Sequence, residues 1–265
     1  MSEKTIPQNP NADYTVIVPT MAEPRLIVPC VDSILRSLPN GTKLSLVIGS
    51  NTTDKERNDA SRYAVSASCE AYNAGWEDTE VTLDWVEFGQ PMGWTGAVNG
   101  CLHACTDDGD GLADVVVVMN DDVIVTRGWL HKLEAGLYTD KLGIFSRKAA
   151  TDQQGLPTDH AVVPMEEKRP WKIGMVGPVT NNAAGMQQVK LPQVNAGADS
   201  LFSMQENEMI NRFGEQIESD FIGQVFEADF ISGFCVAYHR DLINDLIFED
   251  LFTLSFYNTS LPETE

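Results

Sequence analysis

The feature of this 265-residue sequence that most restricts its fold is a run of four valines, Val115 to Val118, followed by Met119, Asn120, Asp121 and Asp122. A strand without polar alternation is covered on both faces, which is typical of mostly parallel sheets in α/β domains. Two adjacent carboxylates after a buried strand are costly unless a cation or a ligand offsets their charge. Because open α/β sheets bind ligands at the carboxyl ends of their strands, this pair is predicted to hold a divalent metal rather than to begin a solvated turn.

The chain is strongly acidic, with a net charge of −21. This charge argues against nucleic acid or an anionic membrane as a partner, since both attract basic surfaces. An acidic protein that binds a phosphorylated ligand needs local compensation, and a divalent cation at the two aspartates would supply it. Mg²⁺ and Mn²⁺ prefer such oxygen ligands and usually share them with a substrate phosphate.

Length and composition indicate a globular chain. Hydrophobic residues make up 43% of the sequence, enough for a sizeable core in one large α/β domain or two small ones. Its apolar runs fall short of the ~20 residues that span a bilayer, and the first ten residues do not resemble a signal peptide. The odd number of scattered cysteines predicts free buried thiols and a reducing, cytoplasmic location. They are Cys30, Cys69, Cys101, Cys105 and Cys235.

Hydrophobic periodicity predicts strands alternating with helices through the first half of the chain. Strands are predicted over 14–20, 44–48 and 81–86, and helices over 26–38, 55–73 and 126–137. The repeated βαβ order predicts a parallel sheet. Farther along, we expect a long excursion or lid over 146–172, an amphipathic helix over 200–217, and a strand over 226–240 with a glycine at its centre.

Three glycines, Gly93, Gly96 and Gly100, open the helix that precedes the valine run. Glycine at these spacings lets the backbone approach either a ligand or another element closely. The stretch is not a dinucleotide-binding fingerprint, because its spacing differs and no strand leads directly into it. The residues alone leave the ligand and the packing interpretations open.

Several short motifs, taken in order, resemble the family 2 glycosyltransferases. They are Val16–Thr20, Gly93–Gly100 with Asn99, Met119–Asp122 followed by Gly128–Leu130, Val176–Asn182, Ser232–Ala237 with Arg240, and Phe248–Phe252. The resemblance extends in patches over residues 13–252. It implies a GT-A fold, an αβα sandwich with a mostly parallel central sheet. It also implies one domain over 13–265, with a nucleotide-sugar half to about residue 125 and an acceptor half after it. The residues before that domain are mostly polar and include two prolines, which predicts a flexible arm over 1–12.

The resemblance implies roles for individual residues. Asn120, Asp121 and Asp122 would be the family's DxD-type motif, with Asp122 as the first ligand of Mn²⁺ or Mg²⁺ and Asp121 as the second. The implied donor-binding residues are Pro19, Thr20, Glu23, Ser50, Asn51, Gly93, Asn99, Asn120 and Asp121, and the implied acceptor-binding residues are Asn181, Asn182 and Gly233. Ser50 and Asn51 stand where the family usually has an acidic residue facing the base, so the identity of the base stays open.

The resemblance also implies an inverting reaction, in which one carboxylate deprotonates the acceptor hydroxyl. Many relatives carry this base in a Glu-Asp pair some way after the segment that matches Phe248–Phe252, and no clear pair follows here. The base is then Glu249 with Asp250, or Asp229, or a residue beyond a truncated end. Each of these acids also has a structural interpretation, as a strand-end cap or a surface turn.

The sequence therefore predicts a metal-dependent, inverting glycosyltransferase that moves a sugar from a nucleoside-diphosphate donor to the hydroxyl of a glycan or another acceptor. A catalytically inactive module that binds a sugar nucleotide or a glycan is the alternative, and the missing Glu-Asp pair favours it. A second alternative is a sugar-1-phosphate nucleotidylyltransferase. Enzymes of that class have a glycine-rich first loop, and the absence of glycine from residues 19–23 argues against it.

Overall fold

The computed structural model describes residues 8–75, 78–107, 111–138, 143–144, 175–180, 187, 204–220, 226–227, 231–240 and 242–243. The helices and strands in these ranges are β1 (Tyr14–Thr20), α1 (Pro24–Ser37), β2 (Lys43–Ser50), α2 (Lys55–Gly75), β3 (Glu80–Glu87), α3 (Gly93–Asp107), β4 (Val115–Met119), α4 (Trp129–Tyr138), β5 (Gly143–Ile144), β6 (Met175–Val176), α5 (Met204–Asp220), β7 (Phe226–Glu227) and β8 (Cys235–His239). The predicted lid over 146–172 lies outside the described residues.

Six strands form the central sheet in the order β3-β2-β1-β4-β8-β6. Strands β1 to β4 run parallel, whereas β8 is antiparallel to both of its neighbours. The chain moves outward from β1 to β3 and then crosses back to place β4 on the other side of β1. The strand order thus reverses between β1 and β4, and α/β sheets leave a ligand crevice at such a reversal, outside the carboxyl ends of the strands.

Helices cover both faces of this sheet. Side chains alternate along β1, so Val16 and Val18 join the buried cluster that includes residues of α1, α2 and α4, whereas Ile17 joins the cluster of α3. All five residues of β4 are buried, as the valine run predicts. The predicted α/β fold, a sandwich of helices around a mostly parallel sheet, is confirmed.

Two predicted elements are wrong in their extent. The strand predicted over 226–240 is divided, because β7 pairs with β5 in a separate sheet and β8 pairs with β4. Between them Gly233 lies in a turn, and the Ser232 amide donates to the side chain of Gln187 instead of to a neighbouring strand. The helix predicted from residue 126 begins at Trp129, because Gly128 has a φ of +71°, far from helical values.

The glycines at the start of α3 serve helix packing. A Cβ on Gly100 would overlap the ring of Phe88, and one on Gly96 would lie 2.9 Å from Cβ of Met92. Gly93 has a φ of +68°, which favours glycine at the first residue of the helix. Gly96 and Gly100 thus let α3 approach the segment after β3, so the close approach at these two positions is to another element of the fold.

Two further properties follow from the described residues. All five cysteines are buried and free, as predicted. Within the same part of the chain, no helix combines the length and the apolar character that crossing a membrane requires.

A buried asparagine joins α2 to the second and third strands. Asn58 is 5% exposed, and its Oδ1 accepts hydrogen bonds from Ser50 Oγ at 2.5 Å and from Trp85 Nε1 at 3.1 Å. Removing the amide would leave the buried Ser50 hydroxyl and the half-buried Trp85 indole without this acceptor, and unpaired buried donors are costly.

The substitution Asn58→Ala is therefore expected to lower the free energy of unfolding by about 1–3 kcal/mol, because it leaves the buried Ser50 hydroxyl and the half-buried Trp85 indole without their acceptor. Urea denaturation followed by circular dichroism measures this change. The control is Asn11→Ala at an exposed position, which we expect to change stability by less than about 0.5 kcal/mol. Equal effects of the two substitutions would contradict the role of Asn58.

Candidate active site

The carboxyl ends of β1 and β4 meet where the strand order reverses. Tyr14 pairs with Val115 at the start of these strands, and continuing that register places Thr20 level with Asp121. The Thr20 hydroxyl donates to Asp121 Oδ2 across the two strand ends at 2.6 Å. The topology of the sheet thus joins two residues that the sequence analysis assigned to the same site from separate motifs.

The loop after β1 is held tightly beside this contact. The Ala22 amide donates to Thr20 Oγ1 at 2.9 Å, and Ser61 of α2 donates to the Ala22 carbonyl at 2.8 Å. Ala22 has a φ of +56°, an uncommon conformation for a residue with a side chain, and these bonds keep it there. The Thr20 hydroxyl therefore accepts from its own loop and donates to Asp121, which fixes the carboxylate relative to β1.

The two aspartates differ in their surroundings. Asp121 is half-buried and Asp122 is exposed. Burial raises the pKa of Asp121, the hydrogen bond from Thr20 opposes this effect, and the negative charge of Asp122 adds to it, with a net rise. Ionising Asp121 therefore costs free energy, and a bound cation would offset that cost.

The chemistry of this pair fits a metal that is shared with a ligand. Among the described residues there is no group of three or more His, Cys, Asp or Glu side chains that would enclose a metal ion. Mg²⁺ and comparable ions are commonly held by one or two carboxylates, with substrate phosphates and water supplying the other ligands. Asp121 and Asp122 fit that arrangement, and a bound diphosphate would complete it.

Trp94 is a site residue that the sequence analysis did not assign. Its Nε1 donates to the side-chain Oδ1 of Asn120 at 2.9 Å, and the backbone N–H of Asn120 donates to the Phe234 carbonyl at 2.8 Å. A Cβ on Gly233 would lie 3.8 Å from the Trp94 ring. The indole thus connects the start of α3, the end of β4 and the turn before β8. Its position inside the glycine-rich motif, next to Gly93, is the signal that would have identified it.

Asn51 fastens the end of β2 to the start of α3. Its Nδ2 donates to the Gly93 carbonyl at 3.1 Å, and its Oδ1 accepts from the Met92 amide at 2.5 Å. The Ser50 hydroxyl is bonded to Asn58. Ser50 and Asn51 are both buried, so their polar atoms build the wall of the crevice.

The remaining predicted residues have different positions. Pro19 is buried within β1 opposite Gly49, and Glu23 is half-exposed directly before α1. Asn99 has a buried Oδ1 that lacks a hydrogen-bond partner among the described residues. Asn181, Asn182, Asp229, Glu249 and Asp250 lie outside the described residues, so the predicted acceptor amides and the predicted base stay predictions.

A second cleft, of about 550 Å³, lies at the opposite, amino edge of the sheet. Its carboxylates already have partners in the protein. Glu134 accepts from the Tyr14 hydroxyl at 2.5 Å, Asp13 accepts from the Lys43 amide at 2.8 Å, and Asp114 is 3.0 Å from a guanidinium nitrogen of Arg240. The placement of ligands in open α/β sheets favours the carboxyl edge.

Replacing Thr20 tests how the site is built. Thr20→Val keeps the shape of the side chain but removes the partner of the Ala22 amide and of Asp121, and it is expected to lower the free energy of unfolding by about 1–3 kcal/mol. Thr20→Ser retains the hydroxyl and is expected to recover most of that loss in urea denaturation. Thr53→Val at an exposed position is the control. A serine variant as unstable as the valine variant would contradict the role of the hydroxyl.

Several glycosyltransferases are among the solved structures similar to the chain. One is a mannosyltransferase, PcManGT, from Pyrobaculum calidifontis in complex with GDP-Man and Mn²⁺. It is 24% identical, and the match covers 57% of this chain and 39% of PcManGT with a TM-score of 0.36. TarS from S. aureus is 16% identical, and the match covers 53% of this chain and 38% of TarS with a TM-score of 0.33. Glucosyl-3-phosphoglycerate synthase from Mycobacterium tuberculosis, in complex with Mn²⁺, UDP and glucosyl-3-phosphoglycerate, has 19% identity, coverages of 52% and 45%, and a TM-score of 0.30.

This chain spans less than half the length of each of these proteins. No curated protein matches it. The family described as Glycosyl transferase family 2 matches residues 15–172, which is more than half of the chain. The match includes β1 from its second residue, all of β2 to β4, and the Thr20–Asp121 contact. The chain therefore belongs to glycosyl transferase family 2.

Proposed function

We propose that this chain is a metal-dependent glycosyltransferase that moves a sugar from a nucleoside-diphosphate sugar to the hydroxyl of a glycan or another acceptor, with inversion at the anomeric carbon. The observation that carries the proposal is the bond between Thr20 and Asp121, which fixes an acidic pair at the switch point of the sheet. A nucleotide donor bound there lies across the ends of β4, β1 and β2.

Mn²⁺ or Mg²⁺ would be held by Asp122 and Asp121. When bound, such an ion stabilises the charge that develops on the departing diphosphate. Thr20 positions Asp121 for this role, and the exposed Asp122 is the proposed first ligand. The acceptor sugar or alcohol is proposed to lie on the other side of the Trp94 ring, near Gly233.

The remaining assignments are part of the same proposal. The chain is a single catalytic domain after residue 12, with its nucleotide-sugar half up to about residue 125 and its acceptor half beyond. Asn181 and Asn182 are proposed to contact the acceptor. The base that deprotonates the acceptor hydroxyl is proposed among Asp229, Glu249 and Asp250, since a base must lie within hydrogen-bond reach of that hydroxyl.

Binding of a nucleoside diphosphate is expected to depend on the metal. Calorimetric titration with Mn²⁺ is expected to give an affinity at least about tenfold higher than titration with EDTA, because the ion bridges the acidic pair and the diphosphate. Asp122→Ala is expected to remove this difference, whereas the control Asp59→Ala, on an exposed part of α2, is expected to keep it. An affinity for the nucleoside diphosphate that changes neither with Mn²⁺ nor with Asp122→Ala would contradict the metal site.

Turnover distinguishes an enzyme from a module that only binds. With Mn²⁺ and a sugar nucleotide, the protein is expected to release the nucleoside diphosphate by transfer or slow hydrolysis, which a coupled diphosphate assay measures. The double substitution Asp121→Ala with Asp122→Ala is expected to abolish the release. Metal-dependent binding without any release, tested with a range of sugar nucleotides and hydroxyl acceptors, would favour the alternative of a catalytically inactive binding module.

A further inference from the structure

An arginine lies at the β2 end of the crevice, outside the short motifs that the sequence analysis compared with the family. Arg57, in the first turn of α2, donates from Nη2 to Thr52 Oγ1 at 3.0 Å. Its Nη1 is 3.9 Å from Glu23 Oε2, and its Nε is 3.9 Å from Asp54 Oδ2. The Nε atom is buried and has no hydrogen-bond partner among the described residues. Arg57 thus combines a buried, unpaired N–H group with a side chain that is 35% exposed to solvent.

The neighbours of Arg57 at the end of β2 are already engaged. Both polar atoms of the Asn51 amide are bonded to the backbone of residues 92 and 93, and the Ser50 hydroxyl is bonded to Asn58. The guanidinium of Arg57 and the carboxylate of Glu23 retain hydrogen-bonding capacity at this end, and the exposed Asp54 carboxylate lies 3.9 Å from Arg57 Nε on the α2 side. A cation and an anion are placed side by side, at a distance longer than a direct hydrogen bond.

The position of this pair fits one part of the proposed donor. Along the carboxyl edge, the acidic pair follows β4, Thr20 ends β1, and the Arg57–Glu23 pair lies between the loops after β1 and β2. Two strand spacings, about 10 Å, separate β4 from β2. If the diphosphate lies at Asp121 and Asp122, as the proposed function requires, the base of the nucleotide reaches Arg57 and Glu23.

We propose that Arg57 and Glu23 determine base specificity and that the base they select is guanine. A guanidinium presents neighbouring N–H donors and matches two neighbouring acceptors, which are N7 and O6 of guanine. A carboxylate accepts two hydrogen bonds and matches two neighbouring donors, which are N1–H and the N2 amino group of guanine. Guanine thus satisfies both side chains with two bonds each.

The other bases satisfy the pair only in part. Uracil offers the pair one acceptor, O4, next to one donor, N3–H, and adenine offers N7 next to its N6 amino group. Cytosine places its acceptors and its single amino group so that the carboxylate receives one bond. Each of these bases leaves a charged, partly buried group with an unfilled hydrogen bond, and sites of this kind discriminate strongly against such ligands.

The test compares GDP, UDP, ADP and CDP by calorimetric titration in the presence of Mn²⁺. The unaltered chain is expected to bind GDP at least about tenfold more tightly than the other three, because guanine forms two more bonds than uracil or adenine and one more than cytosine. Arg57→Lys keeps the charge but removes the fork of donors, and Glu23→Gln removes one acceptor. Each is expected to reduce the preference for GDP over UDP to less than about threefold. Arg36→Lys is the control, since Arg36 is in the last turn of α1 and is 3.7 Å from Asp32.

The outcomes separate this inference from the proposed function. Equal or tighter binding of UDP, ADP or CDP by the unaltered chain overturns the assignment of guanine, while metal-dependent binding still supports a glycosyltransferase. A preference for GDP that survives both substitutions overturns the roles of Arg57 and Glu23. Failure of every diphosphate to bind the unaltered chain overturns the proposed function and this inference together. Thermal melting confirms that each variant is folded, and the comparison on the unaltered chain needs no variant.

Discussion

The hydrogen bond from Thr20 to Asp121 is the contact around which the carboxyl edge of the sheet is arranged. It joins neighbouring strands at the point where the strand order reverses, and it also ties the loop after β1 to the end of β4. A carboxylate that is partly removed from water costs free energy in its ionised form, and the hydroxyl offsets only part of that cost. The cost of ionising Asp121 that remains is increased by the negative charge of Asp122, and a bound cation would offset it.

The polar side chains near this contact divide into two groups with different roles. Asn51, Asn58 and Ser50 direct their hydrogen bonds to the backbone or to other side chains, so they fix the distances between β2, α2 and α3. Arg57 and Glu23 keep capacity for further hydrogen bonds. Counting the partners of each polar atom, rather than noting which residues are polar, separates the residues that build the crevice from those available to a ligand.

Much of the architecture was predictable because local rules and tertiary packing agree. The valine run is buried on both faces, and the periodic segments up to β3 form the predicted helices and strands. The prediction was wrong where one residue or one long-range contact decided the outcome. Gly128 delays α4 through its positive φ, and the segment near Gly233 is held by Gln187, which lies far away in the sequence. Neither effect changes the hydrophobic periodicity of the sequence, so the pattern could not have indicated it.

The sequence by itself determined the fold class, the family and the acidic pair at the end of β4, because burial patterns and short motifs are local properties of a chain. Only the tertiary structure decided which polar atoms near that pair are engaged. It placed Thr20 beside Asp121, brought Trp94 to Asn120, and tied Asn51 to the start of α3. It also revealed Arg57 beside Glu23. These pairings depend on strand order and helix position, which join residues distant in the sequence.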